Sequence, residues 1–372
     1  MGNLASTIPF TELWERLLTM ARIDSPNNED FARGIINDVY VRVLPRIEDW
    51  QSIINTANIS AVAYYNTGTV AVSAAGTAVT GTGTTWTSAM TAVDGYKMKI
   101  SGNDNIYTFT YVSATSGTIS PALSGADNLS GKTYEIFKDE YSLVSTFDRF
   151  LKNGSIYYYK DGRVSNTIAE VPQDIFRDEF RVASSDPIYR CMLTRRHATT
   201  GVQLVRLNPP PKTAKVYPYE YVEQVTPMTD YQTGTAAVTN DSTSVTGTDT
   251  LWTTNAAAGD YFRVDANGAG DSSKWYRIAS VDSATGITLE TAFGEESESG
   301  MEYTISKAPT AYPHPFHEYL LYEGLVMVIG EQGDTNIEGF SVRRSEILND
   351  LKKNFKSRRT NVQFGYEDDG YR

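Results

Sequence analysis

Thr67-Gly68-Thr69-Val70-Ala71-Val72, running on to Thr80-Gly81-Thr82-Gly83-Thr84-Thr85-Trp86, comes back later in the same chain. The second version reads Thr233-Gly234-Thr235-Ala236-Ala237-Val238 and continues to Thr246-Gly247-Thr248-Asp249-Thr250-Leu251-Trp252. Thr67 maps to Thr233, an offset of 166 that also carries Asp94 onto Asp260 and Tyr96 onto Phe262. Beyond a short insertion the offset becomes 169, pairing Val112 with Val281, Tyr134 with Tyr303 and Ile136 with Ile305. Short alternating runs broken by Gly, Asn, Asp and Ser are the pattern of small antiparallel β-sandwiches or barrels. Two copies so far apart make no solenoid, which needs adjacent stacked repeats. The sequence therefore predicts two homologous β modules inserted into a host. Trp86 and Trp252, at equivalent places, read as core plugs, with a sugar-stacking platform as the sharper alternative.

Working outward, residues 1–65 predict helices. Thr7 is a candidate N-cap with Pro9 just inside, and Leu13, Leu17 and Met20 follow at helical spacing. Ser25-Pro26 breaks that run, and Phe31, Ile35 and Val39 mark a second helix ending near Pro45. Trp50, Ile53 and Ile54 suggest a third. Residues 140–230 are rich in aromatic and β-branched residues and predict a meander of strands. In 310–357, Phe316, Tyr319, Leu320, Leu325 and Val328, then Phe340, Ile347, Leu348, Leu351 and Phe355, predict a helical hairpin. Residues 358–372 lack periodicity and read as an extended tail. The expected class is α+β: a helical core with an antiparallel β meander, interrupted by β modules at 66–139 and 231–309.

The chain has 372 residues, 40% hydrophobic, with 24 Tyr, a single Cys and a net charge of −12. One Cys excludes an internal disulfide framework and a Cys-based zinc site. The acidic balance argues against general adhesion to nucleic acid or anionic lipid. No run approaches the ~18 apolar residues of a membrane span, so a soluble protein of a reducing compartment is expected. The charge is uneven. Residues 67–138 are neutral, 231–308 carry four bases against eleven acids, and 343–359 carry seven bases against two acids.

Catalytic chemistry finds little footing. His314 and His317 flank Pro315 with no third ligand at metal spacing. His197 is isolated. Asn267-Gly268-Ala269-Gly270 reads as a plain turn rather than a phosphate loop, because no helix follows it. Asp148 with Asp161, and Glu170 with Asp174, are pairs expected by chance among so many acids. Cys191 in an apolar strand reads as an inert buried thiol. No nucleophile elbow, P-loop, metalloprotease or EF-hand motif occurs. The expectation is a non-enzyme with no metal and no cofactor.

With the modules set aside, three stretches remain in order: Val171-Pro172-Gln173-Asp174-Ile175-Phe176, Leu204-Val205-Arg206-Leu207-Asn208-Pro209-Pro210-Pro211, and a terminal pair from Pro315 to Leu325 and Leu348 to Lys353. This layout resembles the head-to-tail adaptor (connector, or tail tubular) proteins of tailed bacteriophages. The resemblance covers the host segments and departs from the family in the two β modules. It implies a structural virion protein, assembled in the host cytoplasm, forming a homo-oligomeric ring, commonly a 12-mer. Such a ring joins the portal protein to a tail nozzle or tail tube protein and lets genomic DNA pass without sequence specificity. On that footing Arg358, Arg359, Phe364, Tyr366 and Tyr371 would dock on the portal, while Phe316, Leu320, Ile347 and Leu351 would pack the ring. The rival readings are a tail tubular or gatekeeper protein further down the tail, and a tail-fibre-type adhesin that stacks glycans on Trp86 and Trp252.

Overall fold

A computed structural model describes residues 8–23, 28–125, 127–151, 156–160, 163–179, 187–264, 274–332 and 337–356. Among them the helices are α1 (Phe10–Ala21), α2 (Glu29–Asp38), α3 (Leu44–Ile47), α4 (Gln173–Glu179), α5 (Trp252–Asn255), α6 (Pro315–Gln332) and α7 (Ile337–Phe355). The chain divides into two compact units, residues 1–53 with 225–372, and residues 54–224.

The protein is mostly β, built on three sheets of eight, eight and seven strands. This corrects the expected fold class: the host is not a helical core with β insertions, because its own strands, from Ile54–Ala61 to Lys215–Glu223, form one of the eight-stranded sheets. Trp50, Ile53 and Ile54 do not start a third long helix. A short 3-10 turn, Gln51–Ile53, leads straight into the strand Ile54–Ala61. That strand pairs along its whole length with Lys215–Glu223, from Ile54 opposite Val222 to Ala61 opposite Lys215. Ile59 and Ala61 face the core, and the residue between them is exposed, the period-two alternation of a half-buried strand. The remaining host strands are not a pure meander either. Arg163–Glu170 and Arg190–Arg196 run parallel, with Ala169 opposite Arg190, and a parallel pair needs a crossover, which here contains α4.

The 54–224 unit holds this eight-stranded sheet and the first module. The sheet's core gathers Ile59, Phe147, Phe150, Ile156, Val205 and Tyr219. The module runs Leu129–Lys132, Thr69–Val72, Ala78–Thr82, Ser116–Ser120, Ile106–Ser113, Tyr96–Ile100, Tyr134–Lys138 in spatial order.

The other unit contains the second module with the same order: Glu298–Met301, Thr235–Val238, Ser244–Thr248, Gly286–Leu289, Tyr276–Ser283, Tyr261–Val264, Tyr303–Ser306, and then the short strand Asp230–Tyr231. The two copies agree strand for strand. Trp86 Nε1 donates to Tyr134 Oη at 2.9 Å, and Tyr134 Oη donates to the Thr67 carbonyl at 2.6 Å. Trp252 Nε1, Tyr303 Oη and the Thr233 carbonyl repeat this at 3.0 and 2.6 Å. Gly68 and Gly234 share a left-handed φ of 85° and 86°, and a Cβ there would sit 2.4 or 2.3 Å from the carbonyl oxygen of Thr82 or Thr248. Only glycine meets both demands.

Helices α1, α2, α6 and α7 complete this unit. The α1 face of Phe10, Leu13, Trp14, Leu17 and Leu18 is buried, the apolar stripe of an amphipathic helix. Its first turn is tied to the module's last strand, with Phe10 N donating to the Lys307 carbonyl at 3.0 Å and Thr11 N to Ser306 Oγ at 2.8 Å. Two otherwise orphaned helix amides are thereby satisfied. Asp230 receives Thr11 Oγ1 at 2.8 Å and Trp14 Nε1 at 3.1 Å, and lies 3.5 Å from Arg33 Nε. Phe316 is clasped by the rings of Trp50, Tyr312 and Phe355, at 5.1, 5.2 and 5.2 Å between centroids.

Candidate functional site

Each module turns the same face toward its host, and each leaves a cleft there. In the 54–224 unit the cleft has a volume of about 360 Å³ and lies between the first module and the strand Gln203–Asn208. Ile106, Thr108, Ser120 and Pro121 come from the module, and Arg206 and Asn208 from the host strand. In the other unit a cleft of about 460 Å³ lies between the second module and α1, with Trp275, Arg277, Glu290 and Thr291 on the module side and Glu12 and Arg16 on the helix.

Equivalent hydrogen bonds fix the correspondence of the two faces. The amides of Trp86 and Trp252 donate to the carbonyls of Ala114 and Ala284, and Tyr107 Oη and Tyr276 Oη accept from the amides of Ser124 and Gly294. By these registers Ile106 stands where the other copy has Trp275, Thr108 where it has Arg277, Ser120 where it has Glu290, and Pro121 where it has Thr291. One ancestral face carries small neutral side chains in the first copy and charged or aromatic ones in the second. Arg277 and Glu290 pair at 2.8 Å across neighbouring strands, and the guanidinium of Arg263 sits 4.5 Å above the Trp275 ring.

The first cleft borders a buried charge cluster. Lys97 Nζ is 2.5 Å from Asp139 Oδ2, Arg206 Nε is 3.3 Å from the same oxygen, Arg206 also pairs with Glu140, and Arg195 lies 3.5 Å from Glu140. Asp139 and Glu140 are where the module's last strand passes into the host sheet, so the cluster welds the two. Burial pushes the Asp139 carboxyl upward, and Lys97 and Arg206 only partly oppose it. Asp139 Oδ1 and Asn208 Nδ2 are buried with no hydrogen-bond partner.

The residues singled out in the sequence fall elsewhere. Phe316 and Leu320 are fully buried, and Ile347 and Leu351 nearly so, all inside one chain. Ring contacts would have to use the outer side of α7, where Val342 is 56% exposed. Arg358, Arg359, Phe364, Tyr366 and Tyr371 lie outside the described residues, as do Asp161 and the Asn267 to Gly270 loop. Trp86 and Trp252 are buried and hydrogen-bonded, so neither offers a face to a sugar.

His317 is buried, its Nδ1 accepting the Ile8 amide at 3.2 Å. Burial, with His314 nearby, pushes its pKa down to about 4. His197 Nδ1 accepts the amides of Thr199 and Thr200, a turn staple. The Cys191 thiol is buried and pushed upward by that burial. Among the described residues no cluster of three or more His, Cys, Asp or Glu could hold a metal ion, and no helix is long and apolar enough to cross a membrane.

Sequence reasoning missed both clefts. The offset comparison of Ile106 with Trp275 and of Thr108 with Arg277 could have flagged them, because the copies change from neutral to aromatic and charged on either side of the shared Tyr107 and Tyr276.

No protein-family model and no curated protein matches the chain. Among solved structures, the phage phi92 endosialidase is similar over 69% of this chain and 30% of its own, at 12% identity and a TM-score of 0.17. Translation elongation factor SelB from Methanococcus maripaludis, crystallised with a GTP analogue, is similar over 75% of this chain and 67% of its own, at 10% identity and a TM-score of 0.15. The chain thus spans less than a third of the endosialidase. Likenesses of this quality carry no argument about fold or activity.

Proposed function

We propose that the chain is a structural protein of a tailed-phage virion, a head-to-tail adaptor whose copies form a ring between the portal and the tail. The reading applies to a mostly β protein whose longer helices, α1, α2, α6 and α7, all lie in one of its two units. The observation that carries it is the terminal hairpin. The inner side of α6 is filled against the N-terminal helices, with Gly324 close to Leu17, Ile35 and Ile36. The second helix, α7, buries only Ile347 and Leu351 and keeps a long charged side outward.

Arg343 and Arg344 reach back to Glu318 and Glu323 of α6 at 3.5 and 3.6 Å, bracing the hairpin as one stiff element. A ring repeats one heterologous contact about an axis, and a braced helix with a solvent-facing side is suited to such a contact. The basic end of α7, with Lys352 and Lys353, leads into the segment 358–372, the proposed portal-docking tail. The net charge of −12 lets genomic DNA slide past without being held.

Co-sedimentation of the full chain with purified portal rings tests this reading. Binding that is lost on deleting 358–372, with the fold retained, is expected. A chain that stays in the supernatant, forms trimers and binds a glycan array instead would favour the adhesin.

A further inference from the structure

We propose that the cleft between the first module and the strand Gln203–Asn208 is a binding site for a carboxylate-bearing ligand with an apolar flank. Three cations, Lys97, Arg195 and Arg206, face two carboxylates, Asp139 and Glu140, at this place. The excess of one positive charge suits a monoanion better than a phosphate dianion. Lys97 and Arg206 line the cleft, and their side chains keep 16% and 29% of their surface in solvent. Asn208 also lines it, and its side-chain nitrogen is a buried donor with no acceptor, a group that a ligand oxygen would satisfy. Ile106, Pro121, Phe137 and Leu207 supply the apolar part of the wall. At about 360 Å³ the cleft falls within the roughly 300–1,000 Å³ of small-molecule sites.

The sister module gives an internal control. There the position of Ser120 is occupied by Glu290, which answers Arg277, and the position of Ile106 by Trp275, stacked under Arg263. The second copy thus carries its own carboxylate and ring on this face. In the first copy Ile106 and Ser120 carry neither a ring nor an acid, which leaves the cleft beside Lys97 and Arg206 open to a group from outside. The ligand chemistry could come from a free organic acid or from the C-terminal carboxylate of a peptide chain.

The probe is 3-phenylpropionate, titrated into the full chain and followed by saturation-transfer NMR, with 3-phenylpropan-1-ol as its uncharged counterpart. The acid should bind at least tenfold more tightly than the alcohol. Ile106→Trp, which installs the sister residue and fills the cleft, should abolish binding, and Trp275→Ile should leave it unchanged. Should Ile106→Trp disturb the fold by circular dichroism, Ser120→Glu is the second variant. It sits at an exposed position, places the sister acid beside the cations, and should give the same loss. An octapeptide ending in phenylalanine, free or amidated at its C-terminus, separates the sources. Binding of the free-ended peptide assigns the site to a chain terminus, and binding of the small acid alone assigns it to a free acid. Equal binding of acid and alcohol, no binding of any probe, or full binding by folded Ser120→Glu would overturn the proposal.

Discussion

Tyr303→Phe should destabilise the second module by about 2 kcal/mol and leave the first untouched. The Tyr303 hydroxyl accepts from the buried Trp252 Nε1 at 3.0 Å and donates to the Thr233 carbonyl at 2.6 Å. Removing it leaves the indole N–H without a partner inside the core, and a buried unsatisfied donor costs roughly 1–3 kcal/mol. Thr233 is exposed, so its carbonyl can turn to water and adds little. The ring itself stays, so no cavity term enters. With a urea slope on the order of 1–3 kcal/mol/M, about 2 kcal/mol moves the midpoint by roughly 1 M. Bulk unfolding of a two-unit chain is not a single transition, so the assay is hydrogen exchange by mass spectrometry across a urea series. Peptides from 231–308 and 67–138 are read separately. Tyr134→Phe, which breaks the matching chain from Trp86 to Thr67, should shift the first set and spare the second. A midpoint unchanged within about 0.2 M, or a shift shared by both modules, would refute the reasoning that each relay stabilises its own module.

Four further outcomes follow from the same structure. His317 is held neutral, with its pKa at about 4 in the fold against 6.5 unfolded. Below 6.5 only the unfolded chain gains that proton, so stability of this unit should drop as pH falls from 6.5 toward 4, by about 2 kcal/mol between pH 7 and 5. His317→Gln should flatten that slope in the same urea assay, and an unchanged slope would contradict it. Asp139 acts with the opposite sign: its raised pKa means that acidification relieves a cost in the 54–224 unit, so Asp139→Asn should remove an acid-side gain read on peptides of that unit. Asp230→Ala strands Trp14 Nε1 and Thr11 Oγ1, while Arg33 keeps Glu29 and Asp30 as partners. It should cost roughly 1–3 kcal/mol, the range for a buried donor left without a partner, visible as a thermal shift; a loss well below about 1 kcal/mol would mean water replaces the carboxylate. Cys191, buried with its thiol pushed upward, should react with a thiol reagent only as fast as the unit opens.

The duplication was legible because its spacing is local and rigid. Gly68 and Gly234 need left-handed φ, and the Trp and Tyr positions must meet across one small core, so sequence and structure repeat together. The host was not legible. Trp50, Ile53 and Ile54 imitate helical spacing, yet Trp50 is tied back to the Leu44 carbonyl at 2.6 Å and the chain then extends into a strand that pairs with residues far away in sequence. Nothing local announces that partner. The stripe of Phe316, Leu320, Ile347 and Leu351 was visible, but a hydrophobic stripe states only that something covers it. Here the covering side chains belong to the same unit. The charge cluster escaped because Lys97, Asp139 and Arg206 are separated by 42 and 67 positions and are joined only by the closing of the module onto its host.

Native mass spectrometry of the full chain, alone and mixed with portal rings, tests the central claim most directly. The adaptor account predicts one complex with a fixed number of copies per portal ring. A chain that remains monomeric or trimeric and never adds to the portal mass would contradict it.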